Sequence, residues 1–238
     1  MRNTWTILVK ELRSYFVSPV GYVALAFWMF GVGLFFLLEV LSSKQASLQG
    51  WFSTVEVLLL FIGPALTMRL LAEEQRTGTM EVLMTSPVRD WEVTLGKFLA
   101  AVGFWAVMII VTFLFPLVLK LIGNPDMGPI YAGYLGLFLM GSAFMAVGLF
   151  TSSLSSNQVI AYIVAFIVLL ALWIIGSLTP ILPTGQISQS VTALSVTQHF
   201  ESFGRGVVDF GDSLFYLSII AVALFATVQI LETRRSRL

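Results

Sequence analysis

The chain has 238 residues, of which 58% are hydrophobic and 11% charged, with 20 Phe, 6 Trp and a mean hydropathy of +0.92. Soluble domains carry about 25% charged residues, so 13 basic and 13 acidic side chains with zero net charge cannot clothe a water-soluble fold of this length; soluble enzymes, nucleic-acid binders and disordered proteins are excluded. The absence of cysteine and the single histidine remove disulfide frameworks, thiol nucleophiles and Cys/His metal sites.

In chain order, residues 2–18 come first. Trp5, Leu8, Val9, Leu12 and Phe16 fall at i, i+3, i+4, i+7 and i+11, with Lys10 and Arg13 mostly elsewhere on the wheel. This spacing predicts an amphipathic helix lying on a membrane surface. Ser18-Pro19 ends it, because the residue before proline is biased away from the α region. Six apolar runs follow, at about 20–40, 54–72, 98–121, 130–150, 159–178 and 214–231. Each is close to the roughly 20 residues that cross a bilayer as a helix, and none alternates as a barrel strand does. The predicted fold is all-α, a polytopic integral membrane protein with six transmembrane helices.

Orientation follows from Lys and Arg. Ten of the 13, Arg2, Lys10, Arg13, Arg69, Arg76, Arg89, Lys97, Arg234, Arg235 and Arg237, fall on one side, and Lys44, Lys120 and Arg205 on the other. Both termini are therefore expected in the cytoplasm. The first span is too long, and too far from a small-x-small site, for a cleaved signal peptide.

The hydrophilic connection 73–97 is the most charged part of the chain: Glu73, Glu74, Arg76, Glu81, Arg89, Asp90, Glu92 and Lys97, with Arg69 just inside the second span. Gly78 permits a turn, and residues 79–85 are expected to form a short helix with Met80, Leu83 and Met84 on one stripe. Ser86 as cap and Pro87 at a first helical position predict a second helix start leading through Trp91. A solvated loop obeying the charge rule needs neither the acidic residues nor the stripe, so docking of a soluble partner is the favoured reading.

Gly63-Pro64 in the second span and Pro116 in the third mark candidate hinges in the two helices that this connection joins. Motion and the ordinary frequency of proline in membrane helices explain them equally well. Ala132/Gly136 and Ser142/Ala146 give the fourth span a small-xxx-small pattern suited to close helix packing. Residues 151–157 read as a plain connector. The segment 179–212 is too long to lack structure; its apolar residues recur at spacings of three and four, and Asp212 is expected to cap the last span. His199, alone, reads as a packing or surface residue rather than a ligand or acid-base group. No linker or repeat divides the chain, so residues 1–238 are expected to form one domain.

There is no Gly-x-x-x-x-Gly-Lys-Ser/Thr phosphate loop: Gly96-Lys97 is followed by Phe98. The spans are nearly free of charge, which disfavours an ion-coupled carrier or proton relay. Glu39, Glu56, Lys120 and Arg69 sit near span ends, where snorkelling accounts for them.

The run from Glu73 to Lys97, with its Glu-Glu-x-x-Thr-Gly-Thr-x-Glu turn, Ser-Pro and Gly-Lys, resembles the permeases of type-2 ABC exporters. Lys10-Glu11-Leu12 in an elbow helix, the six spans and the long outer segment extend the resemblance over the whole chain. The stretch Thr197–Asp212 is most similar to the gliding-motility-associated branch. The resemblance implies a cytoplasmic coupling helix formed by Glu73, Glu74, Arg76, Gly78, Thr79, Glu81 and Pro87, and an elbow contact formed by Lys10, Glu11 and Arg13. It further implies two copies of a separate ABC ATPase subunit that carries ATP and Mg, a second permease subunit, identical or related, and placement with membrane lipid in the inner membrane of a bacterium. No cofactor or metal is expected on this chain, and no enzymatic activity of its own. An ATPase-coupled membrane module that moves no cargo, but drives or anchors an extracytoplasmic partner, is the alternative.

Overall fold

A computed structural model describes residues 2–43, 47–81, 88–178 and 193–236, and within them the only regular structure is helical. The helices are α1 (Arg2–Val17), α2 (Pro19–Ser43), α3 (Gln49–Thr67), α4 (Arg69–Arg76), α5 (Asp90–Thr112), α6 (Leu114–Ile122), α7 (Met127–Leu154), α8 (Gln158–Leu178), α9 (Val196–Gly204) and α10 (Phe210–Arg235). Six helical stretches among the described residues are long and apolar enough to cross a membrane, with α3–α4 and α5–α6 each counting as one. Each predicted span falls on one of them, the fifth running two residues past the end of its apolar stretch but still within α8.

α7 is the central post. Its small residues let bulky neighbours close in: a Cβ on Gly136 would strike the Phe203 ring, and one on Gly141 the Trp105 indole. α3, α5, α8, α9 and α10 all pack on it. The outward faces of α2, α8 and α10 stay apolar, with Phe30, Val159 and Phe225 exposed, as suits a lipid-facing surface.

Both proline-bearing spans are broken, though not at the prolines. α3 runs through Pro64 and stops at Thr67; Met68 separates it from α4. α5 stops at Thr112, and Phe113 separates it from α6, one turn before Pro116. Proline has no N–H to give the carbonyl four residues back. Here that carbonyl belongs to Thr112, and the Tyr134 hydroxyl of α7 donates to it at 2.9 Å while the ring stacks on Phe113 at 4.3 Å. Thr112 and Tyr134 are buried. Tyr134→Phe is therefore expected to orphan a buried carbonyl and destabilise the chain by about 1–3 kcal/mol, measured as a lowered thermal midpoint in detergent.

Two expected helix starts are corrected. α10 is capped by Asp209, whose carboxylate accepts from the Gly211 N–H at 2.7 Å, not by Asp212. Asp212 lies in the first turn and is taken by His199 Nδ1 at 2.7 Å, with the imidazole stacked on Phe215. His199 is thus a packing residue holding α9 to α10. The third span begins at Asp90, with 88–89 non-helical, so no continuous helix runs from Pro87 through Trp91. Residues 82–87, including Leu83, Met84, Ser86 and Pro87, lie outside the described residues; of the expected short helix, only 79–81 is described, and it is helical.

Candidate functional site

The charged residues converge where α1, α4 and α5 meet, at the end of the bundle that carries both termini. α5 and α6 together run 33 residues, about 50 Å at 1.5 Å per residue, against a hydrocarbon thickness of about 30 Å. The first turns of α5 are thus free to stand beyond the apolar layer, and α1 lies across them. Gly96 permits that crossing: a Cβ there would come within 2.8 Å of Ile7 Cγ2 and 3.0 Å of the Thr4 carbonyl.

The next residue is Lys97, whose side chain is only 2% exposed. Its ammonium donates to Glu11 Oε1 of α1 at 2.9 Å and to Glu74 Oε1 of α4 at 2.8 Å. One buried cation therefore ties three helices, and the exposed Lys10 ammonium lies 3.9 Å from the same Glu11 oxygen. The second oxygen of Glu74 is buried without a hydrogen-bond partner. Beside this group opens a cavity of about 590 Å³ lined by Lys10, Glu11, Arg69, Glu73, Glu74 and Thr79, among others.

α1 has a second fastening. The buried Tyr15 hydroxyl donates to the Leu66 carbonyl of α3 at 2.6 Å, and the Arg69 guanidinium lies 5.2 Å from the Tyr15 ring centroid. Burial pushes the phenol well above its usual pKa, only partly offset by Arg69, so it stays a neutral donor. The predicted apolar stripe of α1 is divided accordingly: Trp5, Val9 and Phe16 face outward, while Leu8, Leu12, Glu11 and Tyr15 face the protein.

α4 is held from its other side by the end of α7. Ser152 Oγ donates to the Met68 carbonyl at 2.9 Å and accepts the N–H groups of Leu71 at 3.1 Å and Ala72 at 3.0 Å. A hydroxyl has thus entered the backbone ladder, which is why the helix breaks at Met68 instead of at Pro64. Gln75 Nε2 adds a bond to the Ser153 carbonyl at 2.9 Å. Residues 151–154 belong to α7 and do more than connect. The end of α10 joins the same assembly through Arg235, which reaches Asp90 at 3.2 Å and the Val88 carbonyl at 3.1 Å.

Beyond α4 the chain turns at Gly78, whose φ of +73° is a conformation that favours glycine, with open space where a Cβ would stand. The Thr77 hydroxyl donates to the Glu73 carbonyl at 2.8 Å and lies 2.9 Å from that of Thr79. Met80 is buried and anchors the turn, while Glu73, Arg76 and Glu81 are exposed.

Of the residues singled out from sequence, Glu11 and Glu74 meet at Lys97, and Lys10, Glu73 and Thr79 line the adjoining cavity. Arg76, Gly78 and Glu81 form the exposed turn beyond it, Arg13 is exposed and outside the junction, and Pro87 falls outside the described residues. Gly63, Pro64 and Pro116 lie in the two broken spans, near the breaks but not at them. The sequence reading missed Lys97 as the central cation, Ser152 as the wedge, and the Arg235–Asp90 clasp. The Gly-Lys pair was the one available signal, a small residue followed by a cation at a helix crossing.

Residues 41–230 match the family model described as ABC-2 family transporter protein. Among curated proteins, the chain is 27% identical over 141 residues to the "Probable multidrug ABC transporter permease YbhR" of Escherichia coli strain K12, and equally to that of Escherichia coli O157:H7. The alignment takes in 57% of this chain and 37% of each relative, so the chain spans little more than a third of the length of the proteins it matches. With the family model matching most of its length, and six helices fit to cross a membrane, the chain belongs to the ABC-2 family of transporter permeases.

Proposed function

We propose that this chain is the membrane-spanning subunit of an ATP-driven exporter, with its terminal end in the cytoplasm of a bacterium. Two copies of a separate ATP-binding subunit seat on that end, and a second permease copy, identical or related, completes the membrane unit. The observation that carries this reading is the buried Lys97 joining Glu11, Glu74 and its own helix directly behind the exposed turn at Arg76–Glu81. Pressure on the turn is delivered to α4. Because α4 is tied to α1 and α5 through Lys97, and to α7 through Ser152 and Gln75, these helices are displaced together at the cytoplasmic end. The helix breaks at Met68 and Phe113 then take up the strain between that block and the far halves of the spans.

ATP and Mg act on the partner subunit, whose closing and reopening supply the movement. "Multidrug" is the word attached to the relatives and leaves the cargo of this chain open. The finer placement in the gliding-motility branch rests on the size of the chain, the Ser18-Pro19 start and Thr197–Asp212, the stretch folded as α9 and the start of α10.

Purification of the full chain from its native membrane in mild detergent is expected to recover a phosphate-loop ATPase in stoichiometric amount. Glu81→Lys reverses an exposed charge on the turn. It is expected to leave insertion intact and lower recovery of the ATPase roughly tenfold, as for charge reversal at an interface. Unchanged recovery and unchanged ATPase activity would remove the coupling role from this turn.

A further inference from the structure

A second cavity, of about 460 Å³, opens at the end of the bundle opposite the termini, between α3, α8 and α9. Its size is that of a small-molecule site. Glu56 of α3 lines it, seven residues into the helix and so about 10 Å from the helix start. The side chain is only 6% exposed, and it has no ion-pair or hydrogen-bond partner among the described residues. The carboxylate faces this cavity, which opens at the end of the bundle opposite the termini, as its position near a span end allows.

A buried carboxylate without a cation is costly, and a chain needing only bulk at this position would carry an apolar residue. The other walls fit a cationic guest. Trp173 of α8 and Phe200 of α9 supply aromatic surface, the type of surface that attracts an ammonium group. Glu201 and Arg205 stand exposed at the rim with opposite charges, which leaves Glu56 as the one acidic or basic side chain in the interior of the lining.

We propose that this cavity binds a positively charged amine, with Glu56 as the counter-ion and Trp173 and Phe200 as its apolar walls. The occupant is either a soluble organic cation or the amine headgroup of a lipid. The site does not rest on the exporter reading, since binding requires neither the ATPase nor transport.

The test titrates ethidium, a permanently charged aromatic cation, into the full chain in dodecyl maltoside and follows fluorescence anisotropy. Wild type is expected to bind saturably, and Glu56→Gln to bind roughly ten- to a hundredfold more weakly, as expected when a charged partner is lost. Ser53→Trp, at the exposed mouth of the cavity, is expected to block binding while leaving the carboxylate in place, and it carries the test if Glu56→Gln fails to fold. Displacement of ethidium by added phosphatidylethanolamine, but not by phosphatidylglycerol, assigns the site to a lipid headgroup; no displacement by either assigns it to a soluble amine. Absence of saturable binding to wild type, or equal affinity in wild type and a folded Glu56→Gln, overturns the assignment.

Discussion

Lys97→Met is expected to be among the most destabilising single substitutions in the chain, lowering the unfolding free energy by about 3 kcal/mol. The ammonium is buried and held by two carboxylates whose side chains are 15% and 18% exposed. Removing it leaves those two partly buried like charges beside one another, with only the exposed Lys10 still 3.9 Å from Glu11. The figure is the low end for breaking a buried pair, because both carboxylates retain some contact with water. The physical cause has a direct check. If the loss comes from uncompensated charge, Glu11→Gln and Glu74→Gln added to Lys97→Met are expected to restore most of the stability, since an uncharged junction has nothing left to pair. Denaturant unfolding of the three-site and single-site variants in the same micelle measures this; a triple variant no more stable than the single one would place the energy in packing around the Lys97 stem instead.

Ser152→Ala is the second large expected effect. Its hydroxyl serves two buried N–H groups, of Leu71 and Ala72, and the Met68 carbonyl. Each orphaned buried group costs about 1–3 kcal/mol, but the chain has a partial escape. With the hydroxyl gone, the Ala72 N–H can return to Met68 and close the break into one continuous helix. That repair turns α4 relative to Lys97 and strains the ion pairs, so a net loss of about 2 kcal/mol is expected, together with weaker stimulation of the proposed ATPase subunit. Ser156→Ala, exposed and four residues past the wedge in the loop before α8, is expected to change neither. Calorimetric melting of both variants, with ATPase assays on the purified complex, separates a wedge from a general effect of losing a hydroxyl in this region.

The spans were legible because continuous apolar length is a direct measure of what a bilayer requires, and no tertiary contact is needed to read it. The density of charge at 73–97 was equally plain, and so was the turn at Gly78. What the sequence concealed were pairings over long separations. Lys97 meets Glu11 across 86 residues, and Ser152 meets Met68 across 84. Neither distance leaves a period in the chain. The displacement of the first break from Pro64 to Met68 follows from the second of these, so a rule about proline alone misplaces it. In α1 the hydropathy wheel identified the apolar residues but not which of them face protein, because the half-buried Glu11 and the buried Tyr15 are turned inward by their polar atoms. The choice between Asp209 and Asp212 as helix cap turned on a histidine 13 residues away from the second.

Proline at 116 and tyrosine at 134 form one structural unit, since the hydroxyl of the second stands in for the amide hydrogen that the first lacks. The two are expected to change together among homologues, and in a preferred order. A lineage that first regains an amide at 116 makes the phenolic hydroxyl redundant and drifts freely afterwards. One that loses the hydroxyl first must pass through a chain with an unanswered carbonyl in its core, and that route is expected to be the rarer one.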